Sequence, residues 1–599
     1  MALGDTPADE IKVDVPALRK RYAEEREKRM QARAAAQAAQ PQLKGSFSKL
    51  DCDYYANRAV TRRRLVEETE AVVIGGGISG LISSARLRQQ GVKDLWLIDK
   101  AGDFGGTWYW NRYPGAFCDV ESYIYLPLLE ETGYMPLHRY SKASEIRAYL
   151  QTLAKRFDLY AASLFQTAVV DLKWNEERRR WIVRTDRDDE IAARFVVSCT
   201  GVLSNPKLPN IAGIETFRGH SFHTSRWDYG YTSGDEDGNL TGLKDKRVGV
   251  IGTGATALQV VPKVALWAQQ LLVFQRTPSS VDERGNRPTD PEWFKSLSRG
   301  WQRERVENFS SLLSGNPEPV DLIQDGWTDI VRHVAPPAGG APPDPAQLEI
   351  AGFRKMEMAR RRIDRIVHDK ATAEALKPYY HYFCKRPGFH DEYLSAFNAP
   401  NVKLVDTQGR GVERVTANGV VVSGKEYPLD CLIYATGFDF LTDQTREAGF
   451  DIHGRNGLAL SEHWREGPRT LYAVQTDQFP NLFFIRLSQA GNSPNFTHLV
   501  GEQSDYIAHI IAKTRAAGAA SVEATTEAVD AWVNEIIDKA APRRAFLATC
   551  TPGQYNHEGD AGKERFAVLN ELYGGGPIAY FKILRALQTH GELKGLRLA

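Results

Sequence analysis

The chain has 599 residues, with 76 Lys and Arg against 75 Asp and Glu, a formal net charge of +1, and 42% hydrophobic residues. The balanced charge excludes an extended phosphate-binding surface, so nucleic acid is not an expected partner, and the length predicts several domains around a large core. No apolar run reaches the ~18 residues of a membrane span and the start carries no signal-like apolar stretch, so neither membrane nor secretion is expected. Six cysteines without a CxxC pair predict no disulfide framework and no metal site, and fit a reducing cytoplasm with mostly buried thiols.

Residues 1–69 read as an addition to the fold. Asp14, Val15 and Pro16 can start a helix, and the highly charged stretch 17–40 continues it with i,i+4 pairs. Pro41 should end it, with 42–53 irregular. The expected role is a solvated helix lying across the body, or alternatively a dimer contact.

Residues 71–100 carry the strongest local pattern. An apolar strand at 71–74 runs into Gly75, Gly77 and Gly80 in GxGxxG spacing, then a helix, Gly91, and a second strand at 95–98 ending on Asp99. This is a dinucleotide-binding βαβ unit, in which the glycines allow a tight turn, pyrophosphate approach and close helix packing. The helix N-terminus attracts phosphate, and Asp99 suits a ribose diol. The next turn, Gly105, Gly106 and Thr107, is followed by Trp108, Tyr109 and Trp110, flat surface suited to a flavin. A helix is expected at 144–157 and strands at 167–174, 181–185 and 194–200.

Residues 246–277 begin a second βαβ unit. Gly252, Thr253, Gly254 and Ala257 follow an apolar strand, and the next strand, 271–274, ends at Arg276 and Thr277 instead of an acid. A guanidinium binds phosphate in a charge-assisted, bidentate way, so this site should prefer NADPH to NADH. Residues 279–380 read as a helical insertion with a Pro-rich break at 335–345. Lys385 and Arg386 stand side by side where the chain returns. Helices are expected at 504–513 and 522–536.

Between the two units lies FRGHSFHTSRWD, which matches FxGxxxHTxxWD at Phe217, Gly219, His223, Thr224, Trp227 and Asp228. With both nucleotide turns in place, this stretch resembles the fingerprint of the Baeyer–Villiger monooxygenases, and the N-terminal extension and CTPG-type tail resemble the branch acting on cyclopentadecanone and polycyclic ketones. The resemblance implies an α/β fold with two Rossmann-like domains, for FAD and NADPH, plus the helical insertion and N-terminal extension. It implies NADPH- and O2-dependent insertion of one oxygen beside a ketone carbonyl, giving esters or lactones. It also implies that His223 acts through conformation, that Lys385 lies near the NADPH phosphate, and that Arg386 is the active-site cation paired with Asp119. Lys100, Tyr125 and Val169 complete the residues expected around the cofactors. The alternative is a flavin monooxygenase of sulfides or amines, which needs a proton on its oxidant where the ketone reaction needs a cation. The expected division is 1–69 (extension), 70–208 and 425–599 (FAD), 209–280 and 381–424 (NADPH), and 281–380 (insertion), in a monomer or homodimer. The stretch 431–440 resembles the strand and ATG turn that return the chain to the FAD domain. Two positions depart from the family pattern. Phe117 stands where an arginine is common, and Ala545 falls where a gapless count places a tryptophan, implying a roomier pocket.

Overall fold

The structure, a computed structural model, describes residues 10–35, 50, 52–56, 60–334, 344–440, 442–559, 565–591 and 593–599. The expected helix stop at Pro41, the irregular stretch up to 49 and nearly all of the Pro-rich break lie outside the described residues.

Two sheets organise the chain. The larger has eight strands. Val66–Ile74 pairs in parallel with Leu95–Ile98 on one side and Glu190–Ser198 on the other. Ala71, Val72 and Val73 are fully buried, as befits a parallel strand covered on both faces. The strand starts earlier than its apolar pattern predicts, because backbone pairing of Val66 to Thr69 with Glu190 to Ala193 needs no apolar side chain. The helix Ile78–Gln89 packs on this sheet, and Phe496–Ala516 packs on that helix, with Ser83 Oγ 2.9 Å from Ser504 Oγ. The hairpin Val169–Asn175 and Arg180–Thr185 is antiparallel. Leu482–Phe484 joins Glu190–Ser198 from the far end of the chain.

The second sheet has five parallel strands, in the order Val402–Asp406, Gln270–Gln275, Arg247–Ile251, Cys431–Tyr434 and His220–His223. The expectation that 431–440 returns the chain to the first domain needs correction at its strand. Cys431–Tyr434 is fully buried and pairs with Arg247–Ile251 and His220–His223, completing the second sheet. The return follows, through Ile452–His453 and Leu482–Phe484.

The insertion is helical, with Trp301–Leu313, Gly326–Val334 and Pro345–Ile366 its longer elements. Trp327, Ile330 and Met356 join the main core. The N-terminal helix Val15–Ala35 starts where Asp14 accepts a hydrogen bond from the Ala17 N–H at 3.0 Å. It lies on the insertion, with Tyr22 buried, edge-on to Phe353 at 5.0 Å and accepting from Arg360 at 3.2 Å.

Two further expectations are corrected. Val522–Ala524 is a strand paired with Leu596–Leu598, and the helix begins only at Thr526, where Thr525 accepts from the Ala528 N–H at 3.3 Å. Cys384 and Cys550 form a disulfide, with Cα atoms 5.3 Å apart across a sequence separation of 166. Nothing local in the sequence marks this pairing, since only the fold brings the two together. Of the free thiols, Cys118, Cys199 and Cys431 are buried and Cys52 is exposed.

Candidate active site

The first Gly-rich turn is tighter than any side chain would allow. A Cβ on Gly75 would fall 2.3 Å from the Cys199 carbonyl oxygen, and one on Gly80 would fall 1.7 Å from that of Gly75. The second turn presses against it, so that a Cβ on Gly106 would lie 2.6 Å from the Gly77 Cα. Gly77 opens the helix Ile78–Gln89 with no side-chain cap, leaving its N–H groups for an anion. Asp99 accepts from the Gly76 N–H and, at 2.7 Å, from the Ala101 N–H. It therefore braces the turn it was expected to serve only as a ribose ligand, and burial raises its pKa against these bonds.

Gly75, Gly77, Asp99, Lys100, Gly106, Thr107, Trp108, Tyr125 and Val169 all line one cavity of about 1640 Å³. Gly80 packs behind it. Trp108 donates to the Tyr125 hydroxyl at 3.0 Å, with the rings edge-on at 5.8 Å.

The same cavity reaches the second turn at Gly252, Thr253, Gly254, Arg276 and Thr277. A Cβ on Gly252 would lie 2.3 Å from the Ala435 carbonyl oxygen. Gly254 opens the helix Ala255–Ala265, again without a side-chain cap. The Thr253 hydroxyl donates to the Thr277 carbonyl at 2.7 Å, while the buried Thr277 hydroxyl has no partner among the described residues. Two glycine cradles, two uncapped helix starts and this hydroxyl fit two dinucleotides.

The fingerprint forms an edge of the second sheet. Gly219 is pressed by Phe217, where a Cβ would meet the ring at 2.5 Å. His223 ends the strand His220–His223, fully buried, with Nδ1 2.8 Å from Ser225 Oγ. Burial, helped by Arg226, pushes its pKa down to about 3, which favours the neutral ring near neutral pH. Thr224 and Trp227 are buried, and the Trp227 indole donates to Thr232 at 3.0 Å. Asp228 accepts from the Tyr231 N–H at 3.1 Å and lies 2.9 Å from His220 Nε2.

Arg386 and Asp119 meet as expected. Arg386 Nη2 donates to Asp119 Oδ1 at 2.7 Å, and both residues line the cavity. Burial alone would weaken the guanidinium's hold on its proton, but Asp119's charge and hydrogen bond more than reverse this, and its pKa lies above the ordinary value. Trp327, which no sequence motif singles out, joins this pair. Its ring lies 4.9 Å from the Arg386 guanidinium, and its indole N–H donates to the Asp119 carbonyl oxygen at 2.9 Å. Lys385 donates to the Pro552 carbonyl at 2.9 Å, beside Arg276 and Glu558.

The two departures resolve differently. Phe117 lies under the Arg284 guanidinium at 4.5 Å, so a cation from another segment stands over it. Ala545 is exposed on the helix Ala541–Thr549 and does not line the cavity, so it does not enlarge the pocket.

Two nucleotide turns opening on one cavity, with a paired guanidinium on its wall, define a two-dinucleotide oxidoreductase. Residues 68–292 match the flavin-binding monooxygenase-like family model. The chain is 51% identical to pentalenolactone D synthase of Streptomyces arenae, over 98% of this chain and 100% of that one. It is 48% identical to Baeyer–Villiger monooxygenase ATR8 of Stachybotrys chlorohalonatus, over 98% and 95%. The polycyclic ketone monooxygenase from Thermothelomyces thermophila superposes with a TM-score of 0.91 at 37% identity, over 98% and 99% of the chains. A steroid monooxygenase bound to NADP superposes with a TM-score of 0.73 at 31% identity, over 89% and 99%. The chain belongs to the Baeyer–Villiger monooxygenases. It is an FAD- and NADPH-dependent enzyme that inserts one oxygen atom beside a ketone carbonyl.

Proposed function

We propose that this enzyme converts bulky cyclic or polycyclic ketones and O2 into lactones, with Arg386 as the cation at the reacting carbonyl and Asp119 as its orienting partner. Its relatives include a polycyclic ketone monooxygenase, a steroid monooxygenase and pentalenolactone D synthase, which supports this substrate class. The observation that carries the proposal is the Arg386–Asp119 pair at 2.7 Å on the wall of a cavity shared by both nucleotide turns.

When bound, FAD would supply the oxygen chemistry and NADPH the hydride. Gly75, Gly77, Gly80, Asp99, Lys100, Gly106, Thr107, Trp108, Tyr125 and Val169 are proposed to hold it. Gly252, Thr253, Gly254, Arg276, Thr277 and Lys385 are proposed to hold NADPH. Arg386 keeps its charge when water is excluded and stabilises the negative charge that grows on the carbonyl oxygen. Asp119 fixes the guanidinium from one edge while Trp327 supports its face. The cavity also has apolar lining suited to a ring system, including Val331, Leu487, Phe496 and Leu572.

The domain division proposed is that of the sequence, with the second return to the FAD domain moved past Tyr434. The enzyme is proposed to act in the cytoplasm as a monomer or homodimer. Among the described residues no helix is long and apolar enough to cross a membrane.

The test is NADPH-dependent oxygen uptake with product analysis, from cyclohexanone to steroidal ketones, with a sulfide control. Lactone formed in step with NADPH consumption, best with polycyclic ketones and lost in Arg386→Ala, supports the proposal. Sulfoxide as the sole product would defeat it.

A further inference from the structure

The N-terminal helix reaches the second nucleotide turn. The side chain of Arg29 is only 6% exposed and lines the same cavity as Gly252, Thr253 and Arg276. Its Nη1 donates to the Gly409 carbonyl at 2.5 Å, which fixes the guanidinium, and its Nε has no hydrogen-bond partner among the described residues. Its Nη2 lies 3.5 Å from Glu558 Oε2, and Arg276 Nη2 lies 3.2 Å from Glu558 Oε1. One carboxylate thus sits between two guanidiniums, in the electrostatic reach of Lys385 and Lys207 as well.

The charges do not balance. Burial and Arg276 push Arg29 down to about 9, and burial, Arg276 and Arg29 push Lys385 down to about 7. Burial disfavours the Glu558 charge, yet Arg276 and Arg29 hold its pKa down to about 2. A single negative charge among these cations leaves a net positive seat, which a dianion fills better than a carboxylate. Glu558 is also held by unusual backbone. His557 and Glu558 both have positive φ, 49° and 56°, a conformation that residues other than glycine rarely adopt.

We propose that Arg29 completes the seat of the NADPH 2′-phosphate together with Arg276 and Lys385, and that Glu558 occupies this seat until the phosphate displaces it. The N-terminal extension is then a determinant of cofactor choice, and the 554–559 segment moves when the cofactor arrives. The inference rests on the reading that Arg276 faces the 2′-phosphate.

The test is calorimetric binding of adenosine 2′,5′-bisphosphate and of 5′-AMP to the FAD-loaded enzyme, with no turnover involved. The wild type should prefer the bisphosphate. Arg29→Gln should reduce that preference about tenfold, as loss of one charge-assisted contact does, with 5′-AMP affinity unchanged. Arg29→Lys should restore part of it. Glu558→Gln should tighten the bisphosphate severalfold and leave 5′-AMP unchanged, and it carries the test should Arg29→Gln not fold. An unchanged preference in Arg29→Gln, or weaker bisphosphate binding in Glu558→Gln, overturns the inference. So does a parallel loss of both nucleotides, the mark of a merely structural role. Arg276→Ala separates the two readings: if it leaves the preference intact, the NADPH-site reading fails as well, and if it abolishes the preference while Arg29→Gln does not, only the present inference fails.

Discussion

Arg386 and Asp119 are 267 residues apart in the chain, and a 2.7 Å hydrogen bond joins them. Arg386→Ala removes the cation proposed to face the carbonyl and should lower kcat by ~10²- to 10³-fold, the usual loss for one donor at a developing oxyanion. Arg386→Lys should recover little, because an ammonium has no planar fork to share between Asp119 and the Trp327 face. Asp119→Asn should retain FAD and lower kcat by less than Arg386→Ala. Steady-state rates with lactone quantified against NADPH check all three.

Trp327 holds the pair from both sides, through its ring and its N–H. Trp327→Phe keeps a ring beneath Arg386 but loses the bond to the Asp119 carbonyl, and should cost a few-fold in kcat. Trp327→Ala loses the cation–π contact as well, worth ~0.5–2 kcal/mol, and should cost roughly a further two- to thirtyfold in kcat, more than it costs in FAD affinity. The ratio of kcat loss to FAD loss, by fluorescence titration, is the measurement.

On the proposed NADPH site, Lys385 confers a pH signature. Its folded pKa is lowered to about 7, so it is largely neutral at pH 8, and a bound 2′-phosphate raises it again. NADP binding at pH 8 should therefore take up a fraction of a proton, and at pH 6, where Lys385 is already charged, the uptake should vanish. Titration calorimetry in two buffers of different ionisation enthalpy reads this directly, and Lys385→Met should abolish it. For folding the sign follows from the same shift. The penalty of burying the charged amine is fully present below pH ~7 and is relieved as pH rises towards the ordinary lysine value.

The Cys384–Cys550 bond ties the segment before Lys385 to the segment before Pro552. Air-oxidised protein denatured without reductant should titrate four thiols, rising to six after reduction. Closing a loop of this length stabilises a fold by roughly 4–5 kcal/mol in the chain-entropy account. Reduction, or Cys550→Ser, should therefore lower the melting temperature. A titre of six without reductant would refute the bond.

What could be read from the sequence was local. Gly75, Gly77 and Gly80 stand within one turn, so their spacing reports backbone approach without any knowledge of the rest of the chain. The same holds for Gly252 and Gly254, and for Asp14 at its helix start. The Arg386–Asp119 pair was reached through family resemblance alone, since no spacing encodes a contact across 267 residues. Trp327, Arg29, Glu558 and the disulfide escaped for that reason. In sequence, Trp327 is one aromatic of a helical insertion and Arg29 one cation of a highly charged helix, with no spacing that marks either. Val522–Ala524 was absorbed into the helix beside it because its partner, Leu596–Leu598, lies at the far end of the chain. The strand Cys431–Tyr434 was assigned to the wrong sheet because an apolar run states that it is buried and not beside what.

The larger sheet draws its strands from Val66 through Leu482–Phe484, and the second sheet is threaded between them. A ribosome making this protein must release more than four-fifths of the chain before the first sheet has all its strands. The larger sheet is thus completed late in biosynthesis and corresponds to no contiguous fragment that could be expressed or exchanged by itself, whereas every strand of the second sheet lies within 220–434.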